Sequence, residues 1–338
     1  MQVNRQEFLQ QLVAVSAGLS QQEVIEQSSC FVFDKGLVIT YNDEVSCRQP
    51  TSLEFTGAVQ ARPLLSILQK LADESLEIIP SSEELLLHGK RSRVGIRMEK
   101  QITMPIHNVG SFGKWLSLPE NFADAIKLVS NCVGKEETQF WSTCVHLDSR
   151  WVEACDNFQL SRYHVSLAVK EKSVLVKGKA ISSLVDLNMC EFSEKESWMH
   201  FRNKDGLVFS CRRYIEMFPE LDKLLKVTGT PTVLPKGLSD AIDKAEIFSG
   251  ENADSNQVLI ELSPGKLRIK GIGVSGWYSE TKKIKYSGDT MSFMIAPKLL
   301  GELCRRYHEC EITKDRLKVS DGKFVYVASL EKVKEKVE

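Results

Sequence analysis

The sequence predicts an α+β fold made of three tandem copies of one unit. Three observations carry this: a helical segment that recurs 116 positions on, a second apolar helical stripe that recurs 116 and then 119 positions on, and hairpin-like strands after each.

The first helix of the unit is the clearest. LPENFADAIKLVSNCVG begins at Leu118 and LPKGLSDAIDKAEIFSG begins at Leu234. Leu-Pro, the Asp-Ala-Ile triplets at 124–126 and 240–242, and Gly134 and Gly250 coincide at that offset. Phe122, Ala125, Ile126 and Val129 fall at helical spacing, as do Leu238, Ala241, Ile242 and Ala245. Pro119 and Pro235 are expected in the first helical turn, where a missing N–H costs nothing. Phe8, Leu12 and Val15 mark a weaker third copy.

The second helix recurs as Leu64, Ile67, Leu68, Leu71, then Ile181, Leu184, Val185, then Leu299, Leu300, Leu303. Strand-like pairs follow each first helix (CFVFDKGLVITY, FWSTCVHLDSRWVEAC, VLIELSPGKLRIKG), and more follow each second helix. Alternation at Leu267, Arg268, Ile269 and Lys270 is that of a half-buried strand, and the intervening turns are Gly- and Asp-rich. The unit is therefore about 115 residues, with domains expected at 1–113, 114–230 and 231–338.

Composition narrows the function. A net charge of −1 and a pI near 6.6 argue against holding a polyanion by bulk charge, but allow basic residues gathered on one surface. No apolar run is long enough for a membrane span, and the N-terminus reads as the start of the fold rather than a signal peptide. Nine scattered cysteines without CxxC spacing indicate a reducing compartment, with cysteine used as a small hydrophobe.

Local motifs then resemble one family. VEACDNFQL (152–160), RRYIEMFPEL (212–221) and RSRVGI (91–96), in that order and with the threefold repeat, resemble the bacterial or phage beta sliding clamps of replicative DNA polymerases. The resemblance covers nearly the whole chain. It implies three tandem DNA-clamp domains, each with two helices inside and antiparallel sheets outside, and a ring formed by a head-to-tail homodimer. It implies a non-enzymatic processivity factor with no cofactor and no metal. The implied partners are double-stranded DNA without sequence preference, and a polymerase and clamp loader that dock through short peptide motifs. The implied location is on DNA, in the cytoplasm of a bacterial cell or phage-infected host.

Cations on the inner helices would face DNA: Arg5, Arg62, Lys70, Lys127, Lys177, Lys179, Lys236, Lys244, Lys298, Arg305 and Arg306. Lys298 and Arg305 are seven apart and share a helix face. Glu120, Asp124, Asp240 and Asp243 dilute this wall. A ring holds DNA topologically, so weak phosphate-directed attraction suffices. The loop KEETQFW (135–141) resembles one that touches DNA in the family, through Gln139 and Phe140.

The resemblance also implies a partner-peptide pocket of Trp141, Cys155, Asn157, Phe158, Leu160, Pro219, Leu224, Val325 and Val327. The family's Met-Pro-Met-Arg-like end is replaced here by VYVASLEKVKEKVE, which would suit an outlying or phage-encoded clamp. At the dimer seam the resemblance sets Val94 and Ile96 against Ile247 and Phe248; a private core is the alternative for these apolar residues.

Other signals are weaker. Gly271, Gly273 and Gly276 match G-x-G-x-x-G, but a dinucleotide site needs a helix next, and WYSETKKIKYSG reads as strand. GKRS at 89–92 lacks the glycine of a phosphate loop. Cys144, His146 and Cys155 have no second ligand pair at metal spacing. Asp148, Glu153 and Asp156 read as solvated or capping carboxylates. Two alternatives to a clamp stay open: a clamp-fold scaffold that binds protein without encircling DNA, and a nucleotide-binding oxidoreductase using Gly271–Gly276.

Overall fold

The computed structural model describes residues 1–134, 139–170, 173–251 and 256–332. One order of elements occurs three times. The first pass runs β1 (Gln2–Asn4), α1 (Arg5–Val15), β2 (Cys30–Asp34), β3 (Leu37–Tyr41), β4 (Val45–Pro50), β5 (Gly57–Gln60), α2 (Ala61–Lys70), β6 (Ser75–Pro80), β7 (Glu84–His88), β8 (Arg93–Glu99). The second runs β9 (Leu116–Ser117), α3 (Phe122–Val129), β10 (Cys144–Leu147), β11 (Trp151–Cys155), β12 (Gln159–His164), β13 (Val174–Lys177), α4 (Gly178–Ile181), β14 (Glu191–Lys195), β15 (Trp198–Arg202), β16 (Val208–Arg212), then the single turn α5 (Asp222–Leu225). The third runs β17 (Thr230–Val233), α6 (Leu238–Ser249), β18 (Val258–Ser263), β19 (Lys266–Ile272), β20 (Trp277–Lys283), β21 (Met291–Ile295), α7 (Pro297–Arg306), β22 (Glu309–Ile312), β23 (Arg316–Ser320), β24 (Phe324–Ser329), β25 (Glu331–Lys332).

The predicted apolar stripes are the buried faces. Phe8, Leu12 and Val15 are buried on α1, and Leu238, Ala241, Ile242 and Ala245 on α6. Asn4 caps α1 by accepting from the N–H groups of Gln6 and Glu7 at 2.9 and 3.1 Å. Two details differ from the sequence reading. Pro119 and Pro235 do not enter the helices; each opens a preceding turn whose carbonyl accepts from Phe122 N or Leu238 N. In the second case Gly237, at φ +70°, breaks helical geometry just before α6. The hairpin pairs are also larger than expected: three strands lie before and three after each second helix, with a further strand leading into it.

By contacts the chain divides into two compact units. Unit 1 comprises Met1–Ile126, Leu147–Ser149 and Ser166–Glu216; unit 2 comprises Lys127–His146, Arg150–Val165 and Met217–Glu338. In unit 1 a twelve-stranded sheet runs β1-β6-β7-β8-β5-β2-β3-β4-β16-β15-β14-β9. In unit 2 one sheet contains the run β10-β11-β12-β24-β23-β22-β17, and another runs β20-β19-β18-β21-β25. Every strand pair with a described register within either unit is antiparallel. In unit 1, α1 packs on α2 and on β3 and β4; in unit 2, α6 packs on α7, β19 and β20.

The glycine motif has a packing role. Gly273 N donates to Gly276 O across the β19–β20 turn, and no helix follows. A Cβ at Gly271 would collide with the Ala245 carbonyl, and one at Gly273 with that of Phe248. The glycines let this hairpin lie against the α6 backbone, so the dinucleotide reading loses its structural basis. Cys144 and His146 are buried, His146 is bonded to Glu153, and among the described residues no group of three ligand-type side chains could hold a metal ion. The described cysteines are free thiols, and burial pushes those of Cys47 and Cys155 up to about 12.

Candidate partner groove, cationic helices and open strand edges

The residues expected to form the partner groove lie within unit 2. On one face of the β12–β24 ladder, Leu160 stands opposite Val327 and Arg162 opposite Val325. The buried residues Cys155, Leu160, Leu221, Val227 and Val327 form one cluster, with Trp141, Phe218, Leu225 and Val325 packed against it. Five of the nine predicted pocket residues are thus brought together: Trp141, Cys155, Leu160, Val325 and Val327. Pro219 and Leu224 belong to the segment that carries α5, and Leu224 remains 42% exposed. Asn157 and Phe158 sit on the exposed β11–β12 turn.

Asp156 shapes that turn. Its carboxylate accepts from the N–H groups of Phe158 and Gln159, both at 2.8 Å, and leaves Phe158 55% exposed. Burial raises the Asp156 pKa. Beside the turn is a hollow of about 110 Å³ lined by Asp156, Phe158, Gln159, Gln257, Met294, Ile295, Ala296, Tyr326, Ala328 and Ser329. The divergent end of the chain helps build it, for Ser329 N donates to Phe158 O at 2.7 Å and β25 pairs with β21. Sequence reasoning missed Gln257 and Met294–Ala296. Gln257 directly precedes β18, and Met294–Ala296 run from β21 to the start of α7; only the strand register brings them to the turn.

Of the expected DNA-facing cations, Arg62, Lys70, Lys127, Lys179, Lys236, Lys298 and Arg306 are exposed on or beside their helices. Arg5, Lys177, Lys244 and Arg305 have described contacts within the chain. Arg5 donates to the carbonyls of Asp73 and Leu68 at 3.0 and 2.8 Å, satisfying the end of α2. Lys177 pairs with Glu44 at 3.3 Å, Lys244 with Glu280 at 3.5 Å, and Arg305 with Asp243. Gln139 is exposed and Phe140 half-buried; 135–138 of the same loop lie outside the described residues.

Two strand edges carry no described partner. β20 ends its sheet. β8 pairs with β7 over Arg93–Arg97, but with β5 only through Met98 and Glu99. Ile96 is 6% exposed and packs in the core of its own unit, whereas Val94 is half-buried. Near β20, Ile247 is 69% exposed and Phe248 half-buried. Ile272, Val274 and Trp277 add exposed apolar surface that the sequence reading did not single out.

This arrangement of antiparallel sheets and paired helices is the fold of the DNA clamps. Among solved structures, the DNA polymerase III beta subunit of Pseudomonas aeruginosa matches with a TM-score of 0.74 at 15% identity, covering 98% of this chain and 100% of that one. The Thermotoga maritima beta subunit matches with a TM-score of 0.76 at 13% identity, covering 98% and 99%. The Bartonella birtlesii sliding clamp, solved bound to griselimycin, matches at 0.76 and 15%, with the same coverage of 98% and 99%. No family model and no curated protein matches the sequence. The particular fold is therefore that of the bacterial beta sliding clamp, at an identity that speaks for architecture alone.

Proposed function

We propose that this chain is a DNA sliding clamp: two copies close head to tail around duplex DNA and tether a replicative polymerase to it. The observation that carries the reading is the repeated way in which strands meet. The third strand after the first helix of one repeat pairs with the final strand of the next repeat's second trio, β4 with β16 and β12 with β24. β20 and β8 are the corresponding strands left over. Pairing β20 of one copy with β8 of a second makes a third junction of the same kind and covers both edges. Ile247, Phe248, Ile272 and Trp277 would be buried there, facing Val94 and the β8 backbone. On this reading the domains are 1–113, 114–230 and 231–338, six to a ring.

The exposed cations of α2, α3, α4 and α7 would give weak, sliding contact with phosphates, with Gln139 and Phe140 adding a loop contact. The groove and its neighbouring hollow would take short apolar segments of a polymerase and a clamp loader, at micromolar-scale affinity typical of a few buried side chains. No chemistry is asked of the chain. It would work on DNA in the cytoplasm of a bacterium or an infected host.

Loading on nicked circular DNA, then linearisation, tests the reading. The clamp should remain on circles and slide from linear product; equal retention on both would refute encirclement. One observation favours a second reading, a protein-binding scaffold: Arg5, Lys177, Lys244 and Arg305 spend their charge within the chain. A scaffold would bind partners yet show no preference for circles.

A further inference from the structure

We propose that Arg162 and Asp222 are positioning residues for the groove, gripping the segment that forms its wall; this rests on the groove reading above. The segment from Met217 to Leu225 supplies part of the cluster (Phe218, Leu221, Leu225) and part of the rim (Pro219, Leu224). It has little structure of its own, since α5 is one turn of four residues. An isolated turn is far below the length at which a helix holds itself together. Something outside the segment must fix it.

Besides the burial of Leu221 in the cluster, two anchors do so, four residues apart. Arg162 Nη1 donates to Asp222 Oδ1 at 2.6 Å. The His146 ring stacks on Phe218, with centroids 4.5 Å apart and planes at 19°. Both anchors trace back to one buried carboxylate. Glu153 Oε1 meets His146 Nδ1 at 2.8 Å, and Glu153 Oε2 accepts from Arg162 Nε at 2.5 Å. The guanidinium also lies 5.0 Å from the centroid of the Trp151 ring. With Nε held by Glu153 and the guanidinium over Trp151, Arg162 presents Nη1 to Asp222.

The members are not equivalent. Glu153 is 4% exposed and would be costly to leave unpaired, so its bond to Arg162 belongs to the core. The Asp222 side chain is 61% exposed, and its attachment is the releasable one. The position of the wall, and so the width of side chain the groove accepts, follows from this ion pair.

A double-mutant cycle with Arg162→Lys and Asp222→Asn tests the grip. Hydrogen exchange in the unliganded chain reads the amides of Leu224, Leu225 and Val227, which bond within the segment. A labelled acetyl-Leu-Leu-Phe-amide peptide reads the groove by fluorescence polarisation. Asp222→Asn should speed exchange and weaken peptide binding by about two- to fivefold, the range of a partly exposed ion pair, and Arg162→Lys, which also loses the Nε bond to Glu153, by at least as much. The double variant should be no worse than the worse single, and Asp222→Glu should restore most of both signals. Multiplying effects, or an Asp222→Asn chain that exchanges like the parent, would overturn the proposal and leave Asp222 a helix-turn residue only. Because exchange is read without peptide, a parent chain that ignores the peptide while the exchange cycle is non-additive would defeat the groove reading and uphold the grip.

Discussion

Leu160 of β12 and Val327 of β24 face each other directly across the antiparallel ladder that links the second run of strands to the third. Each is almost fully buried, in the cluster beneath the groove. The same pair therefore holds a junction together and forms the base of the proposed binding site. Leu160→Ala should lower unfolding free energy by about 2–5 kcal/mol, the cost of a large-to-small change in a packed core. Urea titration followed by tryptophan fluorescence checks this. A loss below about 0.5 kcal/mol, the usual range of surface changes, would mean that the cluster is not packed as described.

The seam makes a second prediction. Ile247 projects from the end of α6, beside the open edge of β20. Light scattering of the parent should give twice the chain mass of 38.1 kDa. Ile247→Lys should shift the species to the chain mass at micromolar concentration, because a lysine would have to be buried in an apolar contact. Ile96→Lys should behave differently and unfold unit 1, since Ile96 lies in that unit's interior. A variant Ile247→Lys that stays dimeric would remove this residue from the seam.

The exposed cations divide topological from electrostatic holding. Arg62→Ala with Lys298→Ala should reduce non-specific DNA affinity and lower the salt slope by about 0.9 for each phosphate no longer neutralised. Retention on closed circles should hardly change, because a ring needs no strong contact. Arg5→Ala should instead destabilise the α1–α2 pair, as its guanidinium serves the end of α2. A filter-binding salt series beside thermal unfolding separates the two effects.

His200 gives a pH prediction. It is fully buried on β15, its Nδ1 2.8 Å from Ser210 Oγ, and burial together with the nearby Arg48, Arg213 and Lys195 lowers its pKa from 6.5 to about 4. The unfolded chain therefore takes up a proton that the folded chain refuses. The stability from the neutral ring is fully present above pH 6.5 and is lost as pH falls from there toward about 4. The loss should be on the order of 3 kcal/mol for this shift. Denaturation between pH 7 and pH 4.5 should show the slope, and His200→Gln should flatten it; an unchanged slope would contradict the assignment.

Much of the fold is legible in the sequence because helices repeat their apolar stripe at nearly constant intervals of 116 to 119 positions. Phe8, Leu12 and Val15, and Leu238, Ala241, Ile242 and Ala245, are where periodicity puts them. Strand number was less legible. β4 and β12 are covered on both faces and show no clean alternation, so three-stranded runs read as pairs. In the cluster, Cys155 and Leu160 lie in VEACDNFQL, one of the segments that carries the resemblance, whereas Val325 and Val327 lie in the segment that departs from the family's ending. The Met294–Ala296 wall and the Arg162–Asp222 contact were not, because they depend on register and on a turn between distant segments. Ile96 and Val94 alternate in sequence, but which faces inward is decided by the sheet.

The central claim is that two chains close a ring through β20 and β8. Projection images of the purified dimer by electron microscopy test it most directly. The account predicts a closed ring of six lobes, three from each chain, around a hole wide enough for duplex DNA. A dimer of the expected mass seen as an open arc, or as two compact bodies joined elsewhere, would contradict it.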